Sequence, residues 1–126
     1  MPDETRISQN RYLFIVTSFD KEPDLTAGPL VLAVSALSVG VDVLLWLTHE
    51  GVNLAKAKAA DHVVPKSFPP LGELLDNFGQ AGGNIGVCPP CAKTHGVTEQ
   101  NMLPNASWMG AAALLGEMQN RQSLSF

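Results

Sequence analysis

Three short apolar runs set what this chain can fold into. Residues 11–18 (RYLFIVTS), 41–48 (VDVLLWLT) and 84–88 (NIGVC) are apolar and partly β-branched, the pattern of strands buried on both faces. Such strands belong to a parallel sheet with helices on either side. The intervening segments supply helical patterns. Pro29 suits the first position of a helix over residues 29–39, and Gly40 terminates it. Residues 53–59 read as a short helix, and His62, Val63 and Val64 as a minor strand. Residues 69–79 form the clearest amphipathic helix. Leu71, Leu74, Leu75 and Phe78 fall on one face, with Glu73, Asp76 and Asn77 on the other. A short helix is expected over residues 89–95 and a long one over residues 105–118, capped by Asn105 or Ser107. The buried stripe of that long helix would be Trp108, Ala111, Ala112, Leu115 and Met118. Residues 122–126 add a final strand. The alternation predicts an α/β fold, a three-layer α/β/α sandwich around a mainly parallel five-stranded sheet.

The chain has 126 residues, enough for one domain, placed over residues 11–126 behind a polar tail at residues 1–10. With 45% hydrophobic and 16% charged residues, wholesale disorder is excluded. The net charge is -4, with Lys+Arg 8 against Asp+Glu 12, and no basic cluster is present. A nucleic-acid partner is therefore not expected. Residues 30–47 are nearly long enough to span a bilayer, but Asp42 lies inside them and Gly40 breaks them, so no membrane span is expected. The polar N-terminus lacks the apolar core of a secretory signal, which points to the cytoplasm and a reducing environment.

The two cysteines sit together as Cys88-Pro89-Pro90-Cys91. Cys88 ends a strand and opens a helix, at the sheet edge where parallel folds gather their chemistry. As N-cap residue it leaves Pro89 and Pro90 the first two helical positions, and the N–H of Cys91 becomes the expected donor to the Cys88 sulfur. A helix start also favours thiolate over thiol. A dithiol of this spacing suits an oxidoreductase. It also suits half a zinc site, although His49, His62 and His95 are scattered and no second ligand pair exists, so neither a metal nor a cofactor is expected. Thr17, Ser18, His49 and Glu50 should share the edge with Cys88, since each follows a strand. His95 lies four residues beyond Cys91 on the same helical face, at a helix C-terminus where a cation is favoured. Trp46 and Trp108 read as core or subunit interface. Gly82-Gly83 precedes a strand, which does not suit a phosphate loop.

The stretch from Asn84 to Thr98 (NIGVCPPCAKTHGVT) resembles the signature of DsrE/DsrF-like sulfur-relay proteins, in which a strand ends in the reactive cysteine and a short helix follows. The first strand ending in Thr17-Ser18, the acidic loop after it, the helix ending at Gly40 and the run Thr48-His49-Glu50-Gly51-Val52 are similar too. The small residues Gly110 to Ala113 after Asn105 extend the likeness to the C-terminus. The resemblance implies homotrimers or homohexamers. It also implies a cysteine, Cys88 here, that takes sulfane sulfur as a persulfide from a donor protein and hands it to an acceptor protein. Cys91 marks the subset of the family with a second cysteine, which leaves open a resolving, sulfur-sharing or packing role. The alternatives are a dithiol–disulfide oxidoreductase using Cys88 and Cys91, or a non-catalytic module for a small ligand or metal. The few charges available to cover so small a domain also point to an oligomer.

Overall fold

The structure, a computed structural model, describes residues 10–126. All but Asn10 of the expected N-terminal tail lies outside the described residues. Five strands form one wholly parallel sheet: β1 (Arg11–Val16), β2 (Asp42–Leu47), β3 (Asn84–Val87), β4 (Ala106–Trp108) and β5 (Gln122–Ser125). Their order across the sheet is β4-β3-β2-β1-β5. The chain moves outward from β1 through β2 and β3 to β4, then returns to the far side of β1. Helices α1 (Pro23–Ser38), α2 (Leu71–Gln80), α3 (Pro89–His95) and α4 (Ala111–Met118) make the connections.

The strands form where the apolar runs predict, and side chains alternate between the two faces. Phe14, Val16, Val43, Leu45, Leu47, Ile85 and Val87 build the larger core with α1 and α2. The opposite face is thinner. There Leu13, Leu44 and Leu114 are buried, and Ile15, Trp46, Met109 and Met118 pack half-buried around them under α4. Gly86 permits this packing, because a Cβ on it would lie 2.8 Å from the Met109 sulfur. At the N-terminal edge, the shielded Arg121 side chain pairs with Asp42 and Glu117 and donates to the Tyr12 carbonyl, which ties β1, β2 and α4 to the start of β5.

Several elements differ from the sequence expectation. α1 begins at Pro23, not Pro29, and Pro29 lies buried inside it. Both prolines suit a first helical position, but the Thr26 hydroxyl bonds the carbonyls of Phe19 and Glu22 and starts the helix earlier. Residues 49–62 form two 3-10 helices, His49–Ala55 and Ala59–His62, instead of a helix followed by a strand. The fifth strand is accordingly β4, which the expected long helix had absorbed. Ala106, Ser107 and Trp108 pair with Ile85, Gly86 and Val87 along the open edge of β3. Asn105 is no helix cap: its side-chain amide donates to the Gly83 carbonyl, and Gly110 caps α4. The shift changes the helical phase, so Leu114 is the buried residue. Leu115 and Trp108, expected inside, are 60% and 38% exposed, and Ala111 and Ala112 are exposed too. A run of alanines carries little phase information, and a partner strand decides the rest. Residues 30–47 are divided among α1, the turn at Gly40 and β2, and among the described residues no helix is long and apolar enough to cross a membrane.

The 3-10 helix after β2 fits against β1 only because residue 51 lacks a side chain. A Cβ on Gly51 would overlap the Val16 carbonyl oxygen. Gly51→Ala should lower the unfolding free energy by about 1–3 kcal/mol, the usual cost of overpacking. Urea denaturation measures this, and an unchanged midpoint with unchanged slope would refute the close approach.

Candidate functional site

Pairing register places the candidate residues in one row. Val16, Leu47 and Val87 are aligned across β1, β2 and β3. The ladder runs one step further, since the Thr48 N–H donates to the Val16 carbonyl and the Cys88 N–H to that of Leu47. Thr17, Thr48 and Cys88 therefore emerge side by side at the C-terminal edge. This is the edge at which parallel sheets collect reactive groups.

Cys88 is the N-cap of α3, with extended backbone, and Pro89 and Pro90 occupy the first helical positions as their chemistry predicts. The expected bond from the Cys91 N–H to the Cys88 sulfur is not made. Both thiols are free and half-buried. The donors converge instead on Cys91. The Thr48 hydroxyl lies 3.4 Å from its Sγ, and the His49 main chain and Cys88 add smaller effects on its titration. Led by the Thr48 hydrogen bond, these contacts hold the Cys91 thiol below its usual value against a smaller opposing effect of burial.

His49 contributes through its backbone. Its φ of 51° lies in the left-handed region, sparsely populated by residues other than glycine. Strain of this kind persists where surrounding structure holds it, commonly at functional sites. The ring itself is exposed. Glu50 turns away from the thiols to pair with Lys21 at 2.8 Å, and that hydrogen bond holds its carboxyl below the ordinary range. Thr17 and Ser18 reach the edge as expected, but their hydroxyls serve the fold. Thr17 donates to the Phe126 carbonyl, and Ser18 bonds Thr26 at 2.6 Å. The His95 ring lies 3.4 Å from the Asn53 amide, and its carbonyl accepts from Lys56 at 2.9 Å, which ties the end of α3 to the first 3-10 helix.

Of the expected residues, the structure thus brings together Cys88, Cys91 and the main chain of His49. Thr48, buried at the strand end, is the residue that sequence reasoning missed. Its signal was a hydroxyl closing an otherwise apolar strand. Beside α3 a groove of about 660 Å³ is lined by Pro89, Lys93, Val97, Thr98 and Trp108. Among the described residues, no group of three or more His, Cys, Asp and Glu side chains could hold a metal ion.

A thiol with a lowered pKa keeps its thiolate as pH falls below the ordinary thiol value. In Cys88→Ser protein, alkylation of Cys91 by iodoacetamide should therefore titrate below a model thiol. Thr48→Val should move the midpoint upward. His49→Asn, which keeps a residue tolerant of left-handed backbone, should leave it in place. A midpoint unmoved by Thr48→Val would refute the hydroxyl's role.

The DsrE/DsrF-like family matches residues 10–126. The chain is 29% identical over 96 residues to the uncharacterized protein MJ0989 of Methanocaldococcus jannaschii, covering 76% of this chain and 81% of that protein. It is 28% identical over 104 residues to the uncharacterized protein MJ0760 of the same organism, covering 82% of this chain but only 38% of that longer protein. Among solved structures, the ychN protein from E. coli aligns with a TM-score of 0.76 at 13% identity, covering 92% of this chain and 98% of that one. At such identity the structural likeness shows the fold alone. The family match runs through every strand and both cysteines, and the chain belongs to the DsrE/DsrF-like family.

Proposed function

We propose that the protein relays sulfane sulfur through the Cys88–Cys91 edge, with Cys88 as the persulfide carrier. The observation that carries this reading is a pair of free thiols where three strands end, with the Thr48 hydroxyl 3.4 Å from one of them. Family membership supports the same chemistry. In the loading step the Cys88 thiolate attacks the outer sulfur of a donor persulfide, and the donor leaves as its thiolate. In delivery an acceptor thiolate attacks the outer sulfur of the Cys88 persulfide, and Cys88 leaves in turn. Neither step changes the net oxidation state, so neither requires a redox partner. Donor and acceptor are thiol proteins, and a reducing, cytoplasmic setting suits both cysteines.

A second reading, dithiol–disulfide exchange, is favoured by the lowered pKa of Cys91 and its place one helical turn after Cys88. One experiment separates the two. Incubation of reduced protein with polysulfide, or with thiosulfate and a rhodanese, should add mass to Cys91→Ser in steps of one sulfur atom. Cys88→Ser should gain none, and loaded Cys91→Ser should deliver its sulfur to an acceptor thiol. Equal loading of both variants would remove Cys88 from the carrier role. Loss of all turnover in Cys91→Ser, with fast insulin reduction by wild type, would establish the oxidoreductase instead.

The proposal extends to assembly as a homotrimer, or a homohexamer built from two trimers. Supporting it, α4 covers its sheet face with a single buried leucine while Leu115 and Ala111 to Ala113 face outward. Light scattering at micromolar concentration should give three or six times the 13.4 kDa chain mass. The monomer mass would overturn this part.

A further inference from the structure

Relay through Cys88 leaves Cys91 without a task, yet Cys91 is the sulfur on which the donors converge. We propose that Cys91 is a built-in resolving nucleophile. When no acceptor thiol is present, it releases the sulfur of a Cys88 persulfide as hydrosulfide, which makes the protein a reductase of sulfane sulfur. This rests on the persulfide reading above and goes beyond it, since the product is inorganic sulfide and not a transferred sulfur atom.

The step balances within the chain. The Cys91 thiolate attacks Sγ of the protonated Cys88 persulfide, the inner sulfur. A Cys88–Cys91 disulfide forms, the bond from Cys88 Sγ to the outer sulfur breaks, and the outer sulfur departs with the bonding electrons and its proton as hydrosulfide. Two thiol sulfurs are oxidised, and the sulfane sulfur takes up the two electrons. A thiol or dithiol reductant then restores both cysteines by ordinary exchange.

Four observations carry the inference. Cys88 caps the helix that carries Cys91 three residues on, and both thiols are free, so the nucleophile sits one turn from its target and attack within one chain replaces a bimolecular encounter. The Thr48 hydroxyl, 3.4 Å from the Cys91 sulfur, is placed to support a thiolate there. Cys88, in contrast, receives no bond from the start of α3, because Pro89 and Pro90 have no N–H to offer and the Cys91 N–H does not reach it. Finally, the chain contains no third cysteine to compete as resolver. Thr48 acts in this scheme as a positioning residue.

The test mixes reduced full-length protein with one equivalent of glutathione persulfide and samples by alkylation and intact mass, with sulfide assayed in parallel. In wild type the species carrying one extra sulfur should rise and decay. It should give way to a species two hydrogens lighter than the reduced chain, while an equivalent of sulfide appears. Cys91→Ser should load and hold its sulfur. Thr48→Val should load normally and release sulfide roughly three- to tenfold more slowly, the scale of one lost hydrogen bond. If wild type holds its persulfide as long as Cys91→Ser does, the resolving role is overturned and the relay stands. If Cys91→Ser takes up no sulfur, the persulfide reading falls and this inference falls with it.

Discussion

The alignment of Val16, Leu47 and Val87 across three parallel strands is the constraint on which the rest depends. Side chains alternate along a strand, so a slip of one residue in any of these pairings would turn its core side chains to the other face. Phe14, Leu45 and Ile85 would then leave the larger core, a loss that hydrophobic burial does not permit. The same register that saves the core delivers Thr48 and Cys88 to adjacent positions one step beyond it. The neighbourhood of hydroxyl and thiol is thus a by-product of core packing, held by backbone bonds that continue past the strand ends.

From that row the chemistry is distributed in an unexpected way. In a Cys-x-x-Cys at a helix start, the first sulfur commonly collects the helix N–H groups. Here two prolines remove the nearest of them, and the first sulfur receives none. The second sulfur lies one turn on, where the Thr48 hydroxyl is 3.4 Å from it, and the strained His49 backbone follows Thr48 in the chain. Gly51 is part of the same arrangement, because only a residue without Cβ lets the segment carrying His49 sit against Val16.

The two ends of the sheet are built differently. At the N-terminal edge, the Arg121 side chain is 7% exposed between carboxylates and a carbonyl, so its polar groups are committed to joining strands. At the C-terminal edge, the hydroxyls of Thr17 and Ser18 and the carboxylate of Glu50 are likewise committed, to Phe126, Thr26 and Lys21. The two free sulfurs, the Thr48 hydroxyl and the exposed His49 ring lie at this same edge. The faces differ as well, since α1 and α2 cover one side and α4 alone covers the other.

The sequence by itself determined the strands β1, β2 and β3, the stripe of α2 and the placement of Cys88 between strand and helix. Each follows from a strong local signal: a run of apolar residues, a 3.6-residue period, or proline where a helix begins. The start of α1 was ambiguous because two prolines satisfy the same local rule. Strand β4 and the phase of α4 were illegible because three residues become a strand only when an edge such as that of β3 offers them partners. The chemical division between the two cysteines belongs to the tertiary structure for the same reason. The hydroxyl that meets Cys91 belongs to Thr48, more than forty residues earlier in the chain. Only the folded register brings it within hydrogen-bond reach of that sulfur.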